Sequence, residues 1–193
     1  TLHILEAFAC GDNEVMERIL PTELGLTKNG YPFYVVISNL LMAMWYKDET
    51  LMKKALDAAE KFVGTKKPQW ERSGAAFLIA LQDEDVEAMG KHLQDFCSGY
   101  MRADFNKAIK RLCVPAHGLY CLAKNILPLE LFQQIKMPEH KNFSQEFAKW
   151  RNDNPHPSLN IYFEYPSPLE ILNQIIMAPV AKSIISQPYL QND

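Results

Sequence analysis

One short pattern occurs three times in the first hundred residues and constrains the architecture. An aspartate stands at positions 12, 48 and 85, and the third, fourth and eighth residues after each of them are apolar. The fourth is always a methionine, at Met16, Met52 and Met89. Apolar residues at these offsets share one face of a helix with about 3.6 residues per turn. The pattern predicts an amphipathic helix after each aspartate.

A second apolar stripe precedes each aspartate and completes a two-helix unit. Its members are a leucine, at Leu5, Leu41 and Leu78, and an alanine two residues later. The units follow one another at spacings of 36 and 37 residues. Helical hairpins with such a period stack side by side. We therefore expect an all-α fold of stacked antiparallel helical hairpins, a short solenoid-like array with three hairpins over residues 1–100.

The aspartates and their acidic neighbours allow two interpretations. An aspartate side chain can accept hydrogen bonds from the free amides at the start of a helix, and its charge suits that end of the helix dipole. The acidic run around Asp85 is then a capped, solvated helix start. Alternatively, Asp83, Glu84 and Glu87 form a surface that binds a basic partner.

The repeat fades after residue 100, and residues 101–193 form a non-repeat helical part of the same single domain, 1–193. We predict helices over 104–112 and 116–127, separated at Pro115, a helix near 142–150 that Asn142 caps, and a last helix from Pro168 to about Ser186. Leu159 to Tyr165 alternates apolar and polar residues, which is typical of an extended segment. Trp150, Tyr162 and Tyr165 are either core residues or aromatic anchors for a partner.

No constellation in the sequence points to catalysis, and we predict no catalytic, cofactor-binding or metal-binding residue. The sequence contains no glycine-rich phosphate loop, nucleophile elbow or H-E-x-x-H motif. Cys113, His117 and Cys121 lie four residues apart, which fits either buried packing or three soft metal ligands on one helix face. The enzyme alternative would depend on the loop histidines His140 and His156.

Charge and hydropathy exclude two classes of partner. A formal net charge of −3 and a pI near 6.0 are unlike those of a protein that binds the nucleic-acid backbone. The longest apolar-rich stretch, residues 34–46, is shorter than the roughly 20 residues of a spanning helix. The four cysteines include no C-x-x-C pair, which favours reduced thiols and a cytoplasmic protein.

Two resemblances bear on architecture and function. The period and hairpin form resemble tetratricopeptide repeats, although that family's Trp-Leu-Gly-Tyr pattern is absent. The segments "ALQDEDVEAM" and "AHGLYCLAKNI" make the chain similar to the all-helical immunity proteins of bacterial polymorphic toxin systems. The second resemblance implies a cytoplasmic antidote that binds and occludes a cognate toxin. A general helical-repeat scaffold or regulatory protein is the alternative.

Overall fold

Helices account for the regular secondary structure of the computed structural model, which describes residues 2–13, 16, 19–20, 25–154 and 164–177. No strand occurs within these residues, so the all-α prediction is confirmed for them. None of the helices described is long and apolar enough to cross a membrane. The helices are α1 (Leu2–Cys10), α2 (Pro32–Tyr46), α3 (Glu49–Val63), α4 (Gln69–Gln82), α5 (Val86–Arg102), α6 (Lys107–Lys110), α7 (Val114–Ile126), α8 (Leu129–Phe132), α9 (Gln145–Asp153) and α10 (Ile171–Met177).

Two complete hairpins, α2–α3 and α4–α5, stack in chain order. Helix α3 packs against α4, and α2 also contacts α4. The repeated methionines Met16, Met52 and Met89 are all buried, as the sequence pattern predicts. Trp70 on α4 lies edge-on to Phe33 of α2 and to Phe96 of α5, with ring centroids 4.8 and 6.0 Å apart. The hairpins therefore share one continuous core.

The turn that precedes each repeated aspartate has the same geometry in all three units. The aspartate amide donates to the carbonyl of the residue five positions earlier, at 2.9, 3.1 and 2.9 Å in Asp12, Asp48 and Asp85. The preceding residue is left-handed each time, with φ of 83°, 53° and 56° at Gly11, Lys47 and Glu84. This is the geometry of a Schellman helix end, in which a left-handed residue turns the chain so that the last carbonyls of the helix accept hydrogen bonds from the amides that follow.

The predicted aspartate caps are confirmed where the structure describes them. Asp48 Oδ1 accepts from the Leu51 amide, and Asp85 Oδ1 accepts from the Ala88 amide, both at 2.9 Å. The amide that Asp12 would engage belongs to residue 15, which lies outside the described residues. Each confirmed aspartate thus ends one turn and starts the next helix.

Helix α1 makes its most extensive contact with α7, which comes from the part of the chain without the repeat. Gly118 of α7 approaches the backbone of Leu5, and seven residues further on Asn125 exchanges side-chain hydrogen bonds with Asn13. The two helices therefore run side by side in the same direction. The sequence repeat did not predict this pairing.

Two predictions in the second half need correction. Pro115 does not separate two helices but lies in the first turn of α7, where its missing amide costs nothing. Asn142 does not cap α9, because it is fully buried and donates to the Cys97 carbonyl. Ser144 is the cap, and its Oγ accepts from the Phe147 amide at 3.1 Å.

The final part of the chain is described only in part. Helix α10 begins at Ile171, a few residues after the predicted start, and the predicted extension to residue 186 lies outside the described residues. The same holds for residues 159–163 of the predicted extended segment. The predicted helix over 104–112 is reduced to the single turn of α6.

Candidate partner-binding surface

The hairpin turns and the end of α7 meet at one end of the molecule, which we call the turn end. One surface groove is lined by Lys47 from the end of α2, Gln82 from the end of α4 and Ile126 from the end of α7. Asn13, just after the first turn, bonds to Asn125 at the end of α7. The repeated geometry therefore brings the polar turn residues to a common surface.

The groove at this end, the turn-end groove, has an apolar floor and a charged rim. Its volume is about 470 Å³, within the usual range for ligand pockets. Side chains from four helices form the floor: Met44, Met52, Leu56, Leu81 and Ile126. Ile126 is 36% exposed, so apolar surface is open to solvent there. The rim is formed by Lys47, Asp48, Glu49, Lys53 and Gln82.

The acidic candidates Asp83, Glu84 and Glu87 are all exposed beside this groove. Asp83 ends α4, Glu84 is the left-handed turn residue, and Glu87 lies in the first turn of α5. None of the three forms an ion pair with another described residue. Their carboxylates therefore remain available to a partner and give this side of the turn end a negative potential.

Glu87 lines a separate recess, of about 520 Å³, between α5 and residues 134–139. Lys91 on α5 and Lys136 on the facing segment also line it, so the charge of this recess is mixed. Of the three acidic candidates, Glu87 thus lines this recess and not the turn-end groove. Asp83 and Glu84 belong to the turn itself.

The aromatic candidates have different environments. Trp150 is 50% exposed, stacks on Phe147 at 6.1 Å between ring centroids, and lies under the Arg151 guanidinium at 4.8 Å. Tyr165 is half-buried, and its backbone exchanges two hydrogen bonds with the Asn173 side chain. Tyr162 lies outside the described residues. No hydrogen bond, ion pair or ring contact within the described ranges joins these aromatics to the acidic candidates.

His117 is a buried core histidine. Burial lowers its pKa to about 4, so the ring is neutral near pH 7. The ring stacks on Phe143 with centroids 4.0 Å apart, and Nε2 accepts a hydrogen bond from the Ser144 amide at 3.3 Å. Nδ1 is buried without a hydrogen-bond partner. His117 therefore helps to fix the start of α9 to α7.

The other sulfur and imidazole groups have structural contacts. His140 Nδ1 lies 2.6 Å from Asn142 Oδ1, while His156 is outside the described residues. Cys113 and Cys97 are buried, and burial, together with the neighbouring Cys97 thiol, raises the pKa of Cys113 well above its usual value. Within the described ranges, no group of three or more His, Cys, Asp or Glu side chains could hold a metal ion.

Two features of the surface were not found from the sequence. The turn-end groove is built from four helices, so its floor residues have no common sequence spacing. Lys124 and Arg151, which lie on α7 and α9, meet at a small cavity beside α1. Lys124 falls within the predicted helix over 116–127, whereas Arg151 lies just beyond the predicted helix near 142–150, so no sequence pattern joined the two residues.

Comparison of the chain with protein families, with curated proteins and with solved structures found no match. Function is therefore inferred from the geometry of the turn end and from the resemblance to immunity proteins.

Proposed function

We propose that this chain acts without catalysis by binding another protein, and that the partner is the toxin of a bacterial polymorphic toxin system. The turn-end groove carries the proposal. An apolar floor inside a polar, charged rim is the usual composition of a protein-binding surface. The resemblance to immunity proteins supports the choice of a toxin and a cytoplasmic site of action.

The charges around the groove define the chemistry of the partner surface. Asp83 and Glu84 have no basic partner in the described part of the chain, and Asp48 and Glu49 add further carboxylates at the rim. A basic surface with one protruding apolar side chain would complement this arrangement. Opposite charges speed the encounter, while the buried apolar contact slows dissociation.

If a secreted toxin is encoded beside this gene, the test is a titration of that toxin with the purified protein. Inhibition should saturate near one equivalent. Ile126→Asp, which places a charge at the groove floor on an already exposed position, should weaken the Kd about tenfold or more. Glu84→Lys should lower the association rate and flatten its dependence on salt.

Glu60→Lys is the matched control, since Glu60 is exposed on α3 more than three turns from Asp48 and outside the groove. It should leave both rate constants unchanged. A saturable complex that none of the turn-end variants weakens would refute the groove as the binding surface. Inactivation of many toxin molecules by a trace of this protein would refute the binding function and favour an enzyme.

A further inference from the structure

A small cavity lies between the end of α1, the last turns of α7 and the end of α9. Its volume is about 130 Å³. That is room for roughly four water molecules, and it is well below the size of pockets that bind organic cofactors. The side chains that define its chemistry are Asn13, Cys121, Lys124, Asn125 and Arg151.

Arg151 is a buried cation on the cavity wall. Only 9% of its surface is exposed, and its Nη1 donates to the Asn154 carbonyl at 2.8 Å. Its Nε is buried with no hydrogen-bond partner. Charged side chains that are this deeply buried are normally paired with an opposite charge, because an unpaired one is costly to desolvate. Arg151 thus has a buried donor without an acceptor.

Lys124 brings a second positive charge to the same cavity. It is half-buried, and its Nζ donates to the Asn152 carbonyl at 2.6 Å. The ion pairs within the described ranges join other residues, so neither Lys124 nor Arg151 has a carboxylate partner there. Among the residues that the structure describes, the cavity lining includes no acidic side chain. Within these residues the site therefore holds two positive charges without a counter-charge.

The remaining walls are polar and show that the positive potential reaches the cavity. The side-chain amides of Asn13 and Asn125 bond to each other at 3.2 and 3.3 Å, which orients both groups at the cavity. Burial raises the pKa of the Cys121 thiol to about 11, and the charges of Arg151 and Lys124 act in the opposite direction. Both cations are thus close enough to influence a group on the cavity wall.

We propose that this cavity is a binding site for a small oxyanion, held between Lys124 and Arg151. The guanidinium group that lines the cavity supplies its positive charge to one oxygen, and the ammonium group supplies its remaining donors to another. Inorganic phosphate and a simple carboxylate such as acetate share this chemistry. The site is independent of the proposed toxin binding, because it uses none of the residues assigned to the groove.

The test compares phosphate, acetate and chloride at equal ionic strength and pH 7, with binding measured by calorimetry and by the shift in melting temperature. Phosphate also stabilises proteins generally at high concentration, so the shift must saturate in the millimolar range or below. Saturable binding of phosphate or acetate supports the site, and the tighter of the two identifies the oxyanion class.

Three variants make the test specific. Lys124→Gln and Arg151→Gln should each weaken the Kd about tenfold or more, because each removes a charge-assisted hydrogen bond. Lys124 is half-buried, so its variant remains informative if Arg151→Gln fails to fold. Lys149→Gln, an exposed position on α9 that does not line the cavity, should bind like the wild type. Absence of saturable binding, or equal binding by Lys124→Gln and the wild type, would overturn the proposal.

Discussion

Replacing Gly118 by alanine tests the contact between α1 and α7 directly. In the interior of a helix this change normally stabilises a protein by about 1 kcal/mol. Here the added Cβ would lie 1.9 Å from the carbonyl oxygen of Leu5 and 2.5 Å from its carbonyl carbon. Both atoms belong to the backbone, so no side-chain rotation can relieve the overlap. The two helices would have to separate by about 1.5 Å to restore an ordinary contact.

The expected result is a loss of stability where helix propensity alone predicts a gain. Overpacking of a well-packed contact costs about 1–3 kcal/mol, and a clash with backbone belongs at the upper end of that range. After subtraction of the propensity gain, the free energy of unfolding should fall by about 2 kcal/mol. For a chain of this size the melting temperature should then fall by roughly 4–8 °C.

Urea denaturation followed by circular dichroism measures this change, with Gly64→Ala as the control. Gly64 has φ of −71°, and the nearest atom to its added Cβ is the Lys61 carbonyl oxygen at 3.5 Å, an ordinary contact. That variant should be neutral or slightly stabilised. If Gly118→Ala were as stable as Gly64→Ala, the close pairing of α1 with α7 would be wrong.

Three further predictions concern single residues. Asp48→Ala removes the hydrogen bond from the Leu51 amide, and urea denaturation should show that the free energy of unfolding falls by about 1 kcal/mol. An unchanged free energy of unfolding would contradict the role of Asp48 as a cap. Glu84→Gly relieves a left-handed φ of 56° and should stabilise by about 0.5–1 kcal/mol, while Glu87→Gly in the helix should destabilise by about 1 kcal/mol. Burial lowers the pKa of His117 from its ordinary value of 6.5 to about 4 in the folded chain, so only the unfolded chain takes up this proton as the pH falls below 6.5. Stability should therefore drop by about 3 kcal/mol between pH 6.5 and 4, and His117→Gln should lose that part of the pH dependence in melts across this range.

The repeat could be predicted from the sequence because its determinants are local. The cap at Asp48 joins residues three positions apart, and the methionine stripe follows from the helical period alone. The left-handed turn residues were harder to find. Gly11 indicates such a conformation, but Lys47 and Glu84 occupy the same position without a sequence signal, because the flanking helices impose the turn.

The contacts between distant segments could not be predicted in this way. Asn142 and Ser144 are both good cap residues, and only burial of Asn142 beneath α5 leaves the cap to Ser144. A glycine inside a helix pattern, such as Gly118, indicates low helix propensity, but the sequence does not indicate which backbone segment packs against it. The meeting of Lys124 with Arg151 likewise depends on how α9 packs against α7.

The pairing of α1 with α7 gives the molecule a specific order of assembly during synthesis. Each of the two complete hairpins can form from neighbouring residues as soon as it leaves the ribosome. Helix α1 cannot pack against α7 until α7 has been translated, more than one hundred residues later. Until then the part of its apolar face that packs against α7 stays uncovered, although Phe8 can already contact Trp45 of α2. Unlike removal of an end repeat from an open array, removal of α7 would therefore uncover apolar surface on the first helix.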